Sequence, residues 1–540
     1  MLGMMQGWPL TVDRIMNHAA TRHAGREVVA RSPEGPVVRT TYAEVARRAR
    51  QVSAALIALG IRPGDRVATL AWNTHRHLEV WYGVMGIGAV CHTLNPRLHP
   101  DQICWTINHA EDRVVFVDPA FAALLLSRIG NAPGVERIVV LGDAGNRPEG
   151  LPDDALVYEE LISGLPEDTP WGGFDEESAC GLCYTSGTTG DPKGVLYSHR
   201  SNFLHTLMTI QPDVLGLSAA DVVLPVVPMY HANAWGAVFA APAVGAKLVL
   251  PGARLDGPSI HELLETEGVT VSCAVPTVWQ ALLQHLDQTG AQLSTLKRVM
   301  IGGAACPDGI IRGFWERYGV KVSHIWGMTE TSPVATCGAP GPAVAALPFD
   351  QQIHWRLKQG RPQLGCELRI ADDEGRRLPE DGRAFGRLQC RGPIVAAGYF
   401  KGGGALDAEG WFDTGDVATI DPDGYMQITD RAKDVIKSGG EWISSVEIES
   451  IAMSHPKAAL AAVIGVPHPK WDERPLLLVK LRPGESATGQ EFLACLEGRI
   501  AKWWTPDEVL FVDDIPLGST GKIDKKLIRA RYAGHKLPTA

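Results

Sequence analysis

The sequence contains no long hydrophobic run and no excess of positive charge, and each absence excludes a class of protein. Its most apolar stretch, Val222 to Leu250, is broken by prolines and polar residues, so no run reaches the ~18 apolar residues of a membrane helix. Lys and Arg number 51 against 61 Asp and Glu, and the net charge of −10 argues against a broad nucleic-acid or anionic-membrane surface. Residues 1–16 show no signal-peptide core. We therefore expect a cytoplasmic protein with neither a nucleic-acid partner nor an integral membrane segment.

The cysteines also lack the spacing of a metal or disulfide site. Of the 10 cysteines, Cys180 and Cys183 form a C-x-x-C, but no second pair completes a zinc site. Both lie in an apolar run before a glycine-rich loop, which favours a buried strand over a redox or metal role.

Hydrophobic patterns of helix and strand type alternate along most of the chain. Thr41 to Glu44 has the form of a capping box, and the helical pattern behind it, Val45 to Leu59, is ended by Gly60. The β-branched run Val269 to Val275 precedes another helical pattern. This alternation predicts an α/β fold in which parallel sheets are covered by helices.

The pattern changes in the last third of the chain. Short strand-like segments with glycine-rich turns predict a β-rich subdomain at about residues 360–430, inside a large N-terminal domain of residues 1–430. Residues 431–540 are expected to form a small, mobile α+β C-terminal domain, with a helix from Gln490 to Lys502.

The segment from Tyr184 to Gly194 has the composition of a phosphate-binding loop. It combines three glycines, whose backbone can approach a ligand closely, with four hydroxyl side chains and Lys193. It is not a Walker A loop, because Lys193 is followed by glycine instead of Ser or Thr. A plain Ser/Thr/Gly surface loop is the alternative interpretation.

Five motifs in this order resemble the adenylate-forming (ANL) superfamily of acyl-CoA synthetases, adenylation domains and luciferases. They are the loop Thr185-Ser186-Gly187-Thr188-Thr189-Gly190 with Lys193, the run Trp326-Gly327-Met328-Thr329-Glu330, the run Trp411 to Asp416, the run Asp430 to Glu441, and Pro516 to Lys522. The resemblance covers nearly the whole chain. Trp326 departs from the usual tyrosine but still offers an aromatic face for adenine.

The resemblance implies the chemistry of four side chains. Lys522 would bridge the incoming carboxylate and the α-phosphate of ATP, and Lys193 would act on the phosphates. Glu330 would hold Mg²⁺ together with Thr185, and His231 would lie beside the carboxylate. A solvated loop lysine and a structural histidine are the alternatives for Lys522 and His231.

The resemblance also implies the binding residues. Those for ATP and AMP are Thr185, Ser186, Gly187, Thr188, Thr189, Gly190, Lys193, Gly303, Ala304, Ala305, His324, Ile325, Trp326, Gly327, Met328, Thr329, Asp416, Arg431, Lys437, Trp442 and Lys522. Those for the acid are His231, Trp235, Gly302, Trp326, Gly327 and Pro333, and those for CoA are Ser438, Gly439 and Gly440. Lys433 matches the hinge about which the C-terminal domain would turn. Trp235 could also be an ordinary core tryptophan.

The implied activity is an ATP-dependent acid–CoA ligase that forms an acyl-adenylate and then an acyl-CoA. No charged motif residue is placed to pair with a substrate amine, so amino acids are disfavoured. The motifs are most similar to fatty-acyl-CoA synthetases, and within them to 3-methylmercaptopropionyl-CoA ligases. A short or medium apolar acid such as 3-(methylthio)propanoate is therefore expected, and a medium- or long-chain fatty acid is the alternative. The resemblance also implies a homodimer.

Two rival functions remain. A free-standing adenylation enzyme would load a carrier protein, although the chain ends at Ala540 without an attached carrier domain. A non-catalytic nucleotide-binding regulator would lack Lys522, Glu330 or Lys193, and all three are present.

Overall fold

The computed structural model describes residues 1, 3–33, 35–143, 145, 147–185, 191–439, 441–518 and 522–540, with the backbone alone for residues 441 and 442. Its helices are α1 (Asp13–Arg22), α2 (Tyr42–Ala58), α3 (His75–Gly86), α4 (Pro100–Ala110), α5 (Ala122–Leu126), α6 (Tyr158–Ile162), α7 (His199–Thr209), α8 (Ala237–Val244), α9 (Gly257–Thr266), α10 (Pro276–Thr289), α11 (Asp308–Tyr318), α12 (Pro342–Ala345), α13 (Phe349–Arg356), α14 (Ser445–Met453), α15 (Gly489–Leu496) and α16 (Lys525–Arg531).

The strands fall into four sheets within this described part of the chain. They are β1 (Glu27–Arg31), β2 (Val37–Thr41), β3 (Arg66–Leu70), β4 (Val90–Thr93), β5 (Asp112–Val117), β6 (Arg137–Val140), β7 (Leu156–Val157), β8 (Ala179–Tyr184), β9 (Gly194–Ser198), β10 (Val222–Pro225), β11 (Lys247–Leu250), β12 (Val271–Ala274), β13 (Arg298–Ile301), β14 (Lys321–Gly327), β15 (Val334–Cys337), β16 (Arg361–Pro362), β17 (Glu367–Ala371), β18 (Phe385–Arg391), β19 (Phe412–Ile420), β20 (Met426–Arg431), β21 (Ile436–Ser438), β22 (Glu441–Ile443), β23 (Ala458–His468), β24 (Asp472–Leu481) and β25 (Glu508–Phe511).

Two large sheets, built mainly from parallel strands, occupy the chain up to β16. One has the strand order β7-β6-β5-β3-β4-β8-β9, in which the pair β8–β9 is antiparallel. The other has the order β16-β15-β14-β13-β12-β10-β11-β1-β2, with antiparallel pairs at its two ends. The prediction of an α/β fold with parallel sheets and helices is confirmed.

One hydrophobic core joins the two large sheets. It contains Val67 and Cys91 from the first sheet, Val28 and Leu248 from the second, and apolar side chains of α1, α2, α3 and α8. All four of these strand residues are almost fully buried. Because both faces of parallel sheets must be covered, strands of this kind read as continuous apolar runs. The core therefore fixes the two sheets relative to each other.

Helix α2 begins and ends as its sequence predicts. The Thr41 hydroxyl accepts a hydrogen bond from the Glu44 amide at 3.3 Å, which satisfies one of the free amides of the first turn. At the other end Gly60 has φ 81°, a conformation that glycine adopts at little cost.

The remaining strands form two smaller sheets. Strands β17 to β20 make an antiparallel sheet in sequence order, and β22-β21-β24-β23 with β25 beside β24 make another. The predicted helix from Gln490 to Lys502 is wrong in length, since α15 ends at Leu496 and Gly498 takes φ 72°. That backbone conformation interrupts a right-handed helix. No helix in the described ranges is long and apolar enough to cross a membrane.

Candidate active site

A cavity of about 870 Å³ brings together loops that are distant in the sequence. Its lining comes from the loop after β8, the turn before α8, the segment after β14, the bend in β19, the connection after β20 and the loop before α16. Because several of these loops follow parallel strands, the cavity lies at an edge where such folds place their ligands.

The ends of the predicted phosphate loop are joined by two hydrogen bonds. The Thr185 amide donates to the Lys193 carbonyl at 2.9 Å, and the Lys193 amide donates to the Thr185 hydroxyl at 3.4 Å. Strands β8 and β9 pair directly beyond them, Tyr184 opposite Gly194. Thr185 and Lys193 line the cavity. The predicted residues Ser186, Gly187, Thr188, Thr189 and Gly190 lie outside the described residues.

Trp326, Asp416 and Arg431 form one hydrogen-bonded group beside the cavity. The Trp326 indole N–H donates to Asp416 Oδ2 at 2.9 Å, and Arg431 Nε lies 2.8 Å from Asp416 Oδ1. The Asp416 side chain is 4% exposed, whereas that of Arg431 is 43% exposed and lines the cavity. The predicted adenine aromatic thus orients the predicted ribose acceptor.

Glu330 lies in the short helix Thr329–Thr331 and is held by a tyrosine that the motifs do not contain. The Tyr399 hydroxyl donates to Glu330 Oε1 at 2.8 Å. Burial raises the pKa of Glu330, while this hydrogen bond and the charges of Arg431 and Lys193 lower it. Glu330, Thr185 and Lys193 all line the cavity.

The donor set fits a magnesium ion that also binds phosphate. Mg²⁺ is commonly held by one or two protein oxygens together with substrate phosphates. Glu330 supplies a carboxylate and Thr185 a hydroxyl in the same cavity. Among the described residues no group of three or more His, Cys, Asp and Glu side chains could hold a metal by itself. A cation here would therefore need oxygens from a bound nucleotide.

Lys522 reaches the cavity close to the predicted acid pocket. A Cβ placed on Gly303 would lie 3.9 Å from Lys522 Cε and 3.9 Å from Trp235 Cζ2. Surrounding protein lowers the pKa of Lys522 to about 8, with a further contribution from Arg431, although Asp416 and Glu330 oppose the change. Water in the cavity still reaches this side chain, because Lys522 is solvent-exposed.

His231 is neutral at physiological pH. Burial lowers the pKa of His231 to about 4, and the positive charges of Lys522 and Arg97 lower it further. All three residues line the cavity. The imidazole can therefore donate or accept a hydrogen bond there without adding charge.

The predicted acid pocket follows a left-handed turn. Ala232, Asn233, Ala234 and Trp235 have φ values of 45°, 53°, 48° and 55°, which is unusual for residues with a Cβ. Trp235 lines the cavity together with Pro333 and Val334. Gly327 also lines the cavity. No residue with a side chain fits at this position, because a Cβ there would lie 1.9 Å from the Pro333 carbonyl oxygen.

The predicted residues divide into three groups by position. Those that line the cavity are Thr185, Lys193, His231, Trp235, Gly303, Ile325, Gly327, Met328, Thr329, Glu330, Pro333, Arg431, Lys433 and Lys522. The second group is adjacent to the lining residues in sequence or in packing but does not line the cavity: Gly302, Ala304, Ala305, His324, Trp326 and Asp416. Those on the hairpin of β21 and β22, also outside the lining, are Lys437, Ser438 and Gly439.

The His324 imidazole forms hydrogen bonds behind the cavity. Its Nδ1 lies 2.9 Å from the Leu357 carbonyl and its Nε2 lies 3.4 Å from the Ala304 carbonyl. Its own carbonyl accepts from the Gly338 amide at 2.8 Å. The residue therefore supports the loop after β13 in this structure, while Ile325 reaches the cavity.

The hairpin with the predicted CoA residues is held against the C-terminal sheet. The Gly439 amide donates to the Trp471 carbonyl at 2.9 Å, and the Ser438 hydroxyl accepts from Arg474 at 3.3 Å. The Lys437 amide donates to Glu473 at 3.0 Å. Gly440 and the Trp442 side chain lie outside the described residues. In this structure the hairpin and Lys522 thus occupy different places relative to the cavity.

Sequence reasoning missed two cavity residues, Tyr399 and Arg97. Tyr399 contacts Glu330 through its hydroxyl and Lys193 through its ring, and Arg97 lies near His231 and Tyr230. Tyr399 stands in a glycine-rich run, between Gly398 and Gly402, which could have singled it out, whereas Arg97 follows Pro96 outside any such run.

Comparisons with known proteins agree along the whole chain. The family model described as AMP-binding enzyme matches residues 16–400, and that described as AMP-binding enzyme C-terminal domain matches residues 447–522. The chain is 50% identical to a 3-methylmercaptopropionyl-CoA ligase of Ruegeria lacuscaerulensis, over 98% of this chain and 99% of the relative. It is 49% identical to a medium-chain-fatty-acid–CoA ligase of Ectopseudomonas oleovorans, over 98% of each. The crystal structure of the anthranilate CoA ligase AuaEII in complex with anthranoyl-AMP superposes with a TM-score of 0.87 at 26% identity, covering 97% of this chain and 98% of that one.

Proposed function

This chain belongs to the AMP-binding enzyme family, and from that premise we propose that its cavity activates a short or medium apolar carboxylic acid, such as 3-(methylthio)propanoate. The prediction of an AMP-forming acid–CoA ligase that uses ATP and CoA is confirmed by the family and by relatives that are named CoA ligases. The choice of acid is supported by one observation: the apolar wall of Trp235, Pro333 and Val334 lies in the same cavity as Lys522.

The first half-reaction joins the acid to the nucleotide. A carboxylate oxygen attacks the α-phosphorus of ATP, the bond from that phosphorus to the bridging oxygen breaks, and pyrophosphate leaves. Both reactants are anions, so a fixed positive charge where they meet lowers the barrier. We assign that charge to Lys522, which lines the same cavity as the apolar wall. Neutral His231 would orient the carboxylate by a hydrogen bond.

The phosphates would be bound at the other side of the cavity. Lys193 supplies positive charge at the end of the loop that begins at Thr185. Glu330 and Thr185 would hold Mg²⁺, which when bound neutralises phosphate charge. The remaining loop residues assigned to ATP, Ser186 to Gly190, complete the proposed phosphate site.

The nucleoside would be bound by the group around Asp416. An ionised carboxylate only accepts hydrogen bonds, which suits the two ribose hydroxyls. Trp326 and Arg431 orient that carboxylate in the structure. We propose that the Trp326 face and the segment from Gly303 to Ala305 flank the adenine, with the backbone of His324 and Ile325 at its edge.

The second half-reaction transfers the acyl group to CoA. The thiol sulfur attacks the adenylate carbonyl, AMP leaves and the thiol proton passes to solvent. We propose that residues 431–540 turn as a domain about Lys433, relative to residues 1–430 with their β-rich part at about 360–430. That motion would replace Lys522 by the hairpin, so that Ser438, Gly439 and Gly440 meet CoA and Lys437 and Trp442 meet the nucleotide.

The identity of the acid substrate is tested by measuring thioester formation with a panel of short, medium, long, aromatic and thioether acids. We expect the highest kcat/KM for 3-(methylthio)propanoate or a fatty acid of similar length. A long-chain optimum would support the alternative of a long-chain fatty-acid–CoA ligase. Adenylate release with little thioester would instead support a carrier-loading enzyme and contradict the proposal.

A variant of the pocket sharpens this test. Trp235→Ala should enlarge the apolar end of the pocket and shift the preference toward longer acids. The kcat/KM for a longer acid relative to a shorter one should rise on the order of tenfold for each additional methylene that the pocket accommodates. Trp503→Ala removes a tryptophan that is 41% exposed and outside the cavity lining, so it serves as the matched control. Equal chain-length profiles for the two variants would contradict the assignment of the pocket.

The setting of the enzyme is proposed by similarity. We propose a cytoplasmic homodimer that acts in fatty-acid or related lipid metabolism. Light scattering at micromolar concentration should return a dimer mass, and a monomer mass would refute the assembly.

A further inference from the structure

We propose that Tyr399 is a positioning residue that holds both Lys193 and Glu330 at the phosphate end of the cavity. The inference rests on the proposed function, because the two residues it positions are those assigned to the phosphates and the magnesium ion. Tyr399 itself stands in none of the five motifs that carry the resemblance.

The hydroxyl of Tyr399 fixes the carboxylate of Glu330. It donates to Oε1 at 2.8 Å, and Glu330 is 5% exposed, so the carboxylate has little water around it. This hydrogen bond fixes the orientation of the carboxylate that is proposed to bind the cation.

The ring of the same side chain contacts the phosphate-loop lysine. Lys193 Nζ lies 4.9 Å from the centre of the Tyr399 ring, within the range of a cation–π interaction. The ring also meets Phe412 at 6.3 Å between centres, at 62° between planes, and Phe412 is almost fully buried. The orientation of Tyr399 is therefore set by packing before any ligand binds.

The backbone around Tyr399 is bonded to the same two motifs. Three residues before it, the Ala396 amide donates to the Glu330 carbonyl at 2.8 Å. One residue after it, the Phe400 amide donates to the Gly194 carbonyl at 2.8 Å, next to Lys193. Segment 396–400 thus joins the phosphate loop to the Glu330 motif, although the three segments are far apart in sequence. Side chain and backbone both serve the same two sites.

Tyr399→Phe tests the hydroxyl without disturbing the ring. The Mg²⁺ concentration for half-maximal ATP–pyrophosphate exchange should rise by about three- to tenfold, the range for losing one hydrogen bond. Calorimetry should show the same loss in the Mg²⁺-dependent gain in ATP affinity, a readout that does not depend on turnover. Tyr158→Phe is the matched control, because Tyr158 donates to the buried Glu79 at 2.6 Å away from the cavity, and it should leave the Mg²⁺ dependence unchanged.

Tyr399→Leu tests the ring through a double-mutant cycle with Lys193→Ala. If the ring positions Lys193, the loss of ATP affinity caused by Tyr399→Leu beyond that of Tyr399→Phe should disappear in the Lys193→Ala background. Additive losses would overturn the role of the ring. A Mg²⁺ dependence of Tyr399→Phe equal to that of the wild type, or equal to that of Tyr158→Phe, would overturn the role of the hydroxyl.

The proposed function and the inference about Tyr399 would be contradicted by different results. A wild-type protein that forms no acyl-CoA with any acid of the panel would contradict the proposed function. A wild-type enzyme that forms acyl-CoA, combined with Tyr399 variants that retain its Mg²⁺ and ATP dependence, would contradict the inference alone.

Discussion

Replacing Lys522 by alanine should slow ATP–pyrophosphate exchange by a factor on the order of 10²–10³, the usual scale for removing one preorganised electrostatic contact. Lys522 lines the same cavity as the apolar wall, and we propose that its ammonium group lies where the two anions meet. The effect should fall on kcat, because the contact matters most as the carboxylate approaches the phosphorus.

The surroundings of Lys522 also predict a pH dependence. Desolvation by the surrounding protein, assisted by Arg431, lowers the pKa of Lys522 from 10.5 to about 8, and Asp416 and Glu330 oppose this change. Water in the cavity screens these effects, so the free enzyme should titrate between these two values. The charged form is the active one, and kcat/KM for adenylation should therefore fall as pH rises through that midpoint. Bound ATP and carboxylate add negative charge, so the midpoint in kcat should be higher.

The assay is ATP–pyrophosphate exchange across the alkaline range, which needs no thiol. Lys522→Arg should lower the rate but remove the alkaline fall, since a guanidinium stays charged at these pH values. Lys502→Ala, which changes a lysine outside the cavity lining, should retain the wild-type profile.

Two outcomes would refute this reasoning about Lys522. One is an alkaline fall that persists unchanged in Lys522→Arg, because another group would then be titrating. The other is a Lys522→Ala variant that remains folded and loses adenylation and thioester formation equally, because the charge is needed in the first step alone.

Three further predictions concern the rest of the site. Gly439→Leu places a Cβ 2.9 Å from Trp471 at φ 61°, so thioester formation from synthetic acyl-adenylate should fall by about tenfold or more while ATP–pyrophosphate exchange is kept. Trp326→Phe removes the donor to Asp416 and should raise KM for ATP by about tenfold with KM for the acid unchanged, as steady-state kinetics would show. Asp430 accepts a hydrogen bond from the Ser445 amide at 2.7 Å, and this bond joins β20 to α14. Asp430→Asn weakens the acceptor and should reduce ATP–pyrophosphate exchange more than thioester formation. Equal losses would contradict a role of this hydrogen bond in the first half-reaction.

Local sequence signals predict the helices and strands well, but they do not predict which strands pair. The capping residue Thr41 and the terminating Gly60 mark the two ends of α2, and β17 to β20 lie within the β-rich region predicted at about residues 360–430, apart from the last residue of β20. By contrast, β1 pairs with β11 about two hundred residues further on, and this pairing depends on packing between sheets. Helix α15 was predicted too long because apolar spacing continues past the point where Gly498 turns the backbone.

In the candidate site, too, local sequence signals predict some residues, and others depend on tertiary structure. Residues in glycine-rich or charged motifs, such as Lys193, Glu330 and Lys522, come together in one cavity as the resemblance implies. His324 lies two residues before the motif that begins at Trp326, and its side chain forms hydrogen bonds within the fold instead of lining the cavity. Tyr399 lies in a glycine-rich run, but that run does not predict its role, because its partners belong to other segments and only tertiary structure brings them to it.

The central claim is that this chain makes acyl-CoA through an acyl-adenylate, and a single-turnover experiment tests it most directly. Enzyme mixed with 3-(methylthio)propanoate, ATP and Mg²⁺ but no CoA should form acyl-adenylate and an equal amount of pyrophosphate. Addition of CoA should then convert that adenylate into equal amounts of thioester and AMP. Release of ADP and phosphate, or formation of pyrophosphate only when CoA is present, would contradict the account.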